Sequence, residues 1–139
     1  TRGGDFECTG TFIDTDLFLT AAHCLEGKKP AGITTGLDVR KGGLADLSVS
    51  GFEIHPEYPA NRTADVDAYD IALVRFTGGL PKGAMIAPMV PAQFALQPGD
   101  PVIVAGYGNA RASSKAWGNG ILRKAELPVL DYFLGKTEM

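Results

Sequence analysis

Two short segments of this 139-residue chain carry the residues best suited to chemistry. One is Leu19-Thr20-Ala21-Ala22-His23-Cys24 and the other is Tyr69-Asp70-Ile71-Ala72-Leu73. An imidazole can act as a general base near neutral pH, so His23 is a candidate proton acceptor. Asp70 heads an apolar run, where a carboxylate is costly to bury unless it is hydrogen-bonded or paired. A carboxylate that accepts the Nδ1–H of a catalytic histidine meets that need and also fixes the tautomer. Each residue also has a plainer reading, His23 as a packed structural histidine and Asp70 as a turn residue or strand-end cap. Cys8 and Cys24 are the only cysteines, and they fit either one disulfide or two free buried thiols. A bridge would close a loop of about 15 residues, worth about 3 kcal/mol in the chain-entropy model. Zinc is not expected, because neither of the two histidines, His23 and His55, forms a close ligand pair with a cysteine. Four serines are present: Ser48, Ser50, Ser113 and Ser114.

The elements that must position these residues read as β-structure. Gly and Pro are frequent and dispersed, with short apolar runs between them and no sustained helical period. Cys8 to Ile13 alternates, Asp14-Thr15-Asp16 is a turn, and Leu17 to Thr20 returns, which predicts a hairpin. From Leu47 to Ile54 the alternation changes phase. Leu47 and Val49 share one parity, Phe52 and Ile54 the other, with Gly51 at the change, and this predicts a bulge or sharp bend. Ile71 to Phe76 and Val102 to Ala105 each read as buried strands. Residues 77–100, rich in Gly and Pro, read as a long irregular connection. Gly118-Asn119-Gly120 is a turn before extended structure from Ile121 to Leu130.

Composition excludes several classes of function. Hydrophobic residues make up 45% and charged residues 21%, as in an ordinary globular chain. The net charge of −3 is scattered, and no basic run suggests nucleic acid or an anionic membrane surface. No apolar stretch approaches transmembrane length. Thr1-Arg2-Gly3-Gly4-Asp5 is not the start of a signal peptide, so any export signal is expected to have been removed or to lie outside this sequence. Asp38, Asp46 and Glu53 make no recognisable metal-binding spacing and read as scattered surface acids.

Taken together, five segments occur in a telling order. They are Cys8-Thr9-Gly10-Thr11-Phe12-Ile13, Thr20-Ala21-Ala22-His23-Cys24, Ile54-His55-Pro56-Glu57-Tyr58, Asp70-Ile71-Ala72-Leu73 and Val104-Ala105-Gly106-Tyr107-Gly108. In these the chain resembles the chymotrypsin/trypsin family of serine proteases. The separation of His23 from Asp70 also suits that family. The resemblance implies an all-β, chymotrypsin-like Greek-key β-barrel fold. Residues 1–76 would supply most of barrel one, without its first strand, 77–100 the inter-barrel linker, and 101–139 the first hairpin of barrel two. It implies that His23 is general base and then general acid, that Asp70 orients and supports it, and that Cys8 and Cys24 form the disulfide that holds the histidine loop. His55 resembles a surface residue of a His-Pro-x-Tyr segment with no catalytic role. No cofactor or metal is implied. The partner is a polypeptide substrate, with no nucleic acid and no membrane, and a bridge between the cysteines implies a secreted or extracytoplasmic location.

The chain also departs from the family pattern. No Gly-Asp-Ser-Gly-Gly segment is present, and none of the four serines has that context. No Ile/Val-Val-Gly-Gly-type start precedes Cys8. The expectation is therefore a chain truncated at both ends, inactive and marginally stable alone. The nucleophilic serine would come from residues C-terminal to Met139 or from a second chain. The alternative is a non-catalytic protease-like binding domain or inactive fragment. A small all-β domain unrelated to proteases explains none of the five ordered segments.

Overall fold

The computed structural model describes residues 8–27, 30, 32–41, 46–58, 68–108 and 119–130. Its strands are β1 (Thr11–Phe12), β2 (Leu17–Thr20), β3 (Gly32–Thr34), β4 (Asp46–Ile54), β5 (Ala72–Thr77), β6 (Pro101–Gly106) and β7 (Arg123–Pro128). Short 3-10 turns span Ala22–Cys24 and Val39–Lys41. β1 to β5 form one antiparallel sheet in the order β1-β2-β5-β4-β3, and β6 and β7 form a separate antiparallel ribbon.

The hairpin expected from Cys8 to Thr20 is present, with Thr11 opposite Leu19 and Phe12 opposite Phe18. Its turn is closed from within. The Asp14 carboxylate accepts the Thr15 amide at 2.6 Å, and the Leu17 carbonyl accepts the Ile13 and Asp14 amides at 3.0 and 3.3 Å. Asp is suited to such a turn because its side chain competes for nearby backbone amides. The phase change in β4 is a β-bulge. Val49 pairs with Phe76, but Gly51 pairs with Arg75, so Ser50 is the extra residue. One inserted residue flips the facing of everything beyond it, and this is why the apolar parity switches there.

β5 is the central strand, and here the expectation of an all-round buried strand is corrected. Ala72, Val74 and Phe76 face the core, while Leu73, Arg75 and Thr77 face outward. A sheet packed on one face needs only alternate residues apolar; Leu73 on the open face is the reason the run looked continuous. The core gathers Phe12, Ile33, Leu47, Val74 and Phe76 with Ala22, Leu25 and Tyr58 from the connecting segments. Phe12 sits edge-to-face against both Phe18 and Phe76, with ring centroids 5.2 and 5.3 Å apart. Such pairs add about 0.5–1.5 kcal/mol each beyond their burial.

Chain leaves β5 through Gly78 and Gly79, both at positive φ (103° and 74°), a turn that a residue with a Cβ would make at a cost. The described residues between β5 and β6 form turns and irregular backbone, as expected of 77–100. They are nonetheless anchored: the Ala87 amide donates to the Phe12 carbonyl at 2.8 Å, and Leu80 and Ala84 pack on the core. β6 forms where Val102 to Ala105 predicted a strand but is not buried; Ile103 and Val104, on opposite faces, are 67% and 55% exposed. Its one strand partner among the described residues is β7, and most of its residues are exposed, with Val102 and Gly106 half-buried.

Candidate active site

The strand register brings His23 and Asp70 together. β2 and β5 are antiparallel, with Leu17 opposite Arg75 and Thr20 opposite Ala72. The chain leaving β2 after Thr20 and the chain entering β5 before Ala72 therefore lie at the same end of the sheet. Three residues past Thr20 is His23, and two residues before Ala72 is Asp70.

Each is then fixed locally. His23 is the middle residue of the 3-10 turn Ala22–Cys24, which is flanked by the fully buried Ala22 and the buried Leu25. Ala21 enters in an extended conformation and offers no capping side chain. The orphan amide of His23 is satisfied instead by Asp70, whose Oδ1 accepts it at 2.8 Å. The other carboxylate oxygen, Oδ2, lies 2.6 Å from His23 Nδ1. One side chain thus holds both the backbone and the ring of a residue 47 positions away. An ionised carboxylate only accepts hydrogen bonds, so Nδ1 is the donor of this pair, and in the neutral imidazole Nε2 is the nitrogen that keeps a lone pair. The His23 side chain is about half exposed and that of Asp70 is mostly covered.

Burial alone pushes the Asp70 carboxyl up. Hydrogen bonds from the His23 amide and ring, the charge attraction of His23 and a bond from the Ala22 amide outweigh it, and the carboxyl is held below the usual carboxylate range. The site therefore keeps an anion beside the imidazole.

Asp70 is itself set by the turn that precedes it. The Ile71 amide donates to the Tyr69 carbonyl at 2.7 Å across Asp70, and Tyr69 adopts a φ of 60°, in the left-handed region. The Tyr69 ring stacks on His55 at 4.8 Å with the planes 12° apart. The Glu57 amide donates to His55 Nδ1 at 3.2 Å, which fixes the orientation of that ring. Sequence reasoning set His55 aside and missed Tyr69 altogether. The one available signal was the adjacency of Tyr69 to Asp70, because backbone strain leaves no mark in residue type.

Cys8 and Cys24 form a disulfide with Cα atoms 6.2 Å apart, which ties the segment before β1 to the histidine turn. A second tie lies beside it, where the Thr20 hydroxyl donates to the Thr9 carbonyl at 3.0 Å. Cys24 Sγ, bonded to Cys8, lies 3.6 Å from His23 Nε2, so the bridge packs against the imidazole.

The remaining candidates stand apart. Ser48 and Ser50 lie toward the end of the β4–β5 ladder away from Asp70, with Ser48 opposite Thr77. Ser113 and Ser114 fall outside the described residues. Asp38 is engaged by Arg40 through two guanidinium contacts at 2.8 Å, and Glu53 sits on β4 opposite Leu73.

With this geometry in view, the relatives of the chain are informative. The family model described as Trypsin matches residues 1–137. Chymotrypsin-like elastase family member 1 of Macaca fascicularis is 28% identical over 130 residues, which is 90% of this chain and 47% of the relative. Hypodermin-B of Hypoderma lineatum is 34% identical over 113 residues, 77% of this chain and 41% of the relative. The chain thus spans about half the length of the curated relatives it matches. Among solved structures, the serine protease neuropsin of mouse brain superposes with a TM-score of 0.72 at 21% identity, covering 99% of this chain and 63% of neuropsin. That likeness is one of fold, the all-β chymotrypsin-like architecture. By the family match along nearly its whole length, the chain belongs to the trypsin family.

Proposed function

We propose that this chain is the histidine- and aspartate-bearing portion of a trypsin-like serine endopeptidase. The observation that carries the reading is the double hold of Asp70 on His23, one oxygen on the backbone amide and one on Nδ1. In this reading residues 1–76 are barrel one, 77–100 the linker between barrels and 101–139 the start of barrel two. The serine nucleophile comes from residues C-terminal to Met139 or from a second chain, since none of Ser48, Ser50, Ser113 and Ser114 has the sequence context of the family nucleophile.

The chemistry follows from the proton positions. With Nδ1–H committed to Asp70, Nε2 is the free base. It takes the proton of the serine hydroxyl as the oxygen attacks the scissile carbonyl. The imidazolium that forms is stabilised by the Asp70 carboxylate, which stays ionised. The same Nε2–H then protonates the leaving amine, and a second cycle with water as nucleophile hydrolyses the acyl-enzyme. The disulfide and the trypsin-family membership favour a secreted or extracytoplasmic setting for a polypeptide substrate.

The test is a serine-directed fluorophosphonate probe applied to native material containing this chain. Labelling of a serine on the same polypeptide or on a companion chain is expected, and His23→Ala should abolish it. In triad proteases as a class, losing the histidine costs about 10^6-fold in turnover, a figure taken from those enzymes and not from this chain. Native material that holds the chain but takes up no probe would replace this reading with a protease-like binding domain.

A further inference from the structure

His55 takes no part in the reaction described above, yet it holds the chain on both sides of Asp70. Its amide donates to the carbonyl of Ile71, the residue after Asp70, at 3.0 Å. Its ring stacks on Tyr69, the residue before Asp70, with centroids 4.8 Å apart and planes at 12°. We propose that His55 is a positioning residue for the Asp70–His23 pair, acting through the backbone of Tyr69. Its effect on rate rests on the endopeptidase reading; its effect on Asp70 does not.

Three observations support it. First, the turn that presents Asp70 is tight and strained. The Ile71 amide donates to the Tyr69 carbonyl at 2.7 Å, which closes a three-residue turn with Asp70 at its centre, and Tyr69 has a φ of 60°. A bulky residue keeps a left-handed backbone only where its surroundings over-determine it, and the His55 ring lies flat against this one. Second, His55 is itself fixed. Ile54, the last residue of β4, is paired with Ala72, and the His55 amide extends that ladder by one bond. Pro56 has no amide with which to continue it. The chain turns instead, the Tyr58 amide donates back to the His55 carbonyl at 3.0 Å, and Tyr58 is fully buried. The Glu57 amide, donating to Nδ1 at 3.2 Å, sets the plane of the ring. Third, Asp70 has no slack. Oδ1 is committed to the His23 amide and Oδ2 to Nδ1, so a rotation of the backbone at Tyr69 displaces both bonds together.

The consequence is a relay by geometry rather than by charge. Without the His55 ring, the backbone at Tyr69 relaxes towards the ordinary regions of φ, and Asp70 swings with it. The imidazolium that forms in the proposed reaction then loses part of its stabilising carboxylate. Loss of the ring therefore acts on the chemical step and leaves substrate binding largely as it was.

The experiment compares His55→Ala, which removes the ring but keeps the amide bond to Ile71, with His55→Phe, which keeps a ring over Tyr69. In proton NMR of the 139-residue chain, the far-downfield Nδ1–H resonance of His23 should broaden or vanish in His55→Ala while circular dichroism still reports the β-fold. His55→Phe should restore the resonance. In native material containing the chain, the maximal rate of fluorophosphonate labelling should fall roughly 10-fold in His55→Ala, against the about 100-fold that a full ångström of misplacement can cost. The half-saturating probe concentration should stay where it is. In a Tyr69→Gly background, His55→Ala should add no further slowing, because the route through Tyr69 is already cut. A sharp resonance in folded His55→Ala would overturn the proposal. So would a slowing that multiplies with that of Tyr69→Gly, which puts His55 on a different route. If His55→Ala does not fold, folded His55→Phe decides, and loss of the resonance there overturns the proposal as well. The resonance belongs to this chain with or without a serine. Its persistence in His55→Ala therefore counts against the role of His55 alone, and native material that takes up no probe counts against the endopeptidase reading alone.

Discussion

Asp70 does three things with one carboxylate: it satisfies an orphan amide, orients a ring and places a negative charge beside it. The acid behaviour follows from that. Its carboxyl is held below the usual range, so the unfolded chain binds the proton more tightly than the folded one. The stability it contributes is complete above the unfolded value of about 3.9 and is lost as pH falls through the lower folded value. Over the range below pH 5, the difference in unfolding free energy between the native chain and Asp70→Asn should therefore be steady at first and then shrink as acid is added; a difference that widens in acid would refute the assignment. Tyr69, next to it, pays for its left-handed backbone with a stack. A non-glycine residue there costs about 1–2 kcal/mol, and an aromatic pair returns about 0.5–1.5 kcal/mol. Tyr69→Ala keeps the strain and loses the stack on His55. Thermal or denaturant unfolding should show a loss of about 1 kcal/mol, and the far-downfield Nδ1–H resonance of His23 should broaden as Asp70 loosens. Tyr69→Gly should recover the stability but not the sharp resonance, because it removes strain and stack together.

At the scale of elements, the site depends on how closely β1 and β2 approach. A Cβ placed on Gly10 would lie 2.2 Å from Phe18 Cε1 and 2.5 Å from the Leu19 carbonyl oxygen. The ring could rotate away, but the backbone oxygen cannot move without shifting β2, the strand that carries the chain to His23. Gly10→Ala should therefore destabilise by about 1–3 kcal/mol, the usual cost of overpacking, as read from the denaturant midpoint. A variant as stable as the native chain would mean that the hairpin can spread at no cost. The alternation from Cys8 to Phe12 foretold the hairpin but not this contact, because a glycine shows in sequence only that something is close. The bulge in β4 was legible for a better reason, since a phase change in apolar parity is the direct imprint of one inserted residue. The pairing of His23 with Asp70 came from family resemblance. Once the β2–β5 register is known it follows from geometry, but register between strands so far apart in sequence leaves no local signal. The solvent-facing Ile103 and Val104 misled for the opposite reason: hydrophobicity marks a tendency to be covered, not what does the covering.

In the whole molecule the five-stranded sheet and the β6–β7 ribbon meet through a seam of hydrogen bonds centred on Tyr107. Its amide donates to the Thr9 hydroxyl at 3.1 Å, its hydroxyl donates to the Gly36 carbonyl at 2.9 Å, and its carbonyl accepts the Gly120 amide at 2.8 Å. Gly120 in turn accepts from Val39, and Leu37 accepts from Leu122, both at 2.9 Å, on either side of a bridge between Asp38 and Ile121. The Asp38–Arg40 pair holds the loop that makes these contacts. Thr9 lies immediately after Cys8, so the seam begins at the disulfide that anchors His23. A substitution at Tyr107 should thus separate two properties, the integrity of each sheet and the rigidity of their junction. Tyr107→Phe deletes one partly buried hydrogen bond, worth about 1 kcal/mol, and leaves the ring in place. Amide hydrogen exchange should quicken at Val39, Gly120 and Leu122, three amide donors of the seam, while Val74 and Phe76 in the central strand keep their protection. Acceleration spread evenly over β4 and β5 would instead mean that the two sheets unfold as one cooperative unit, with the seam as strong as the core.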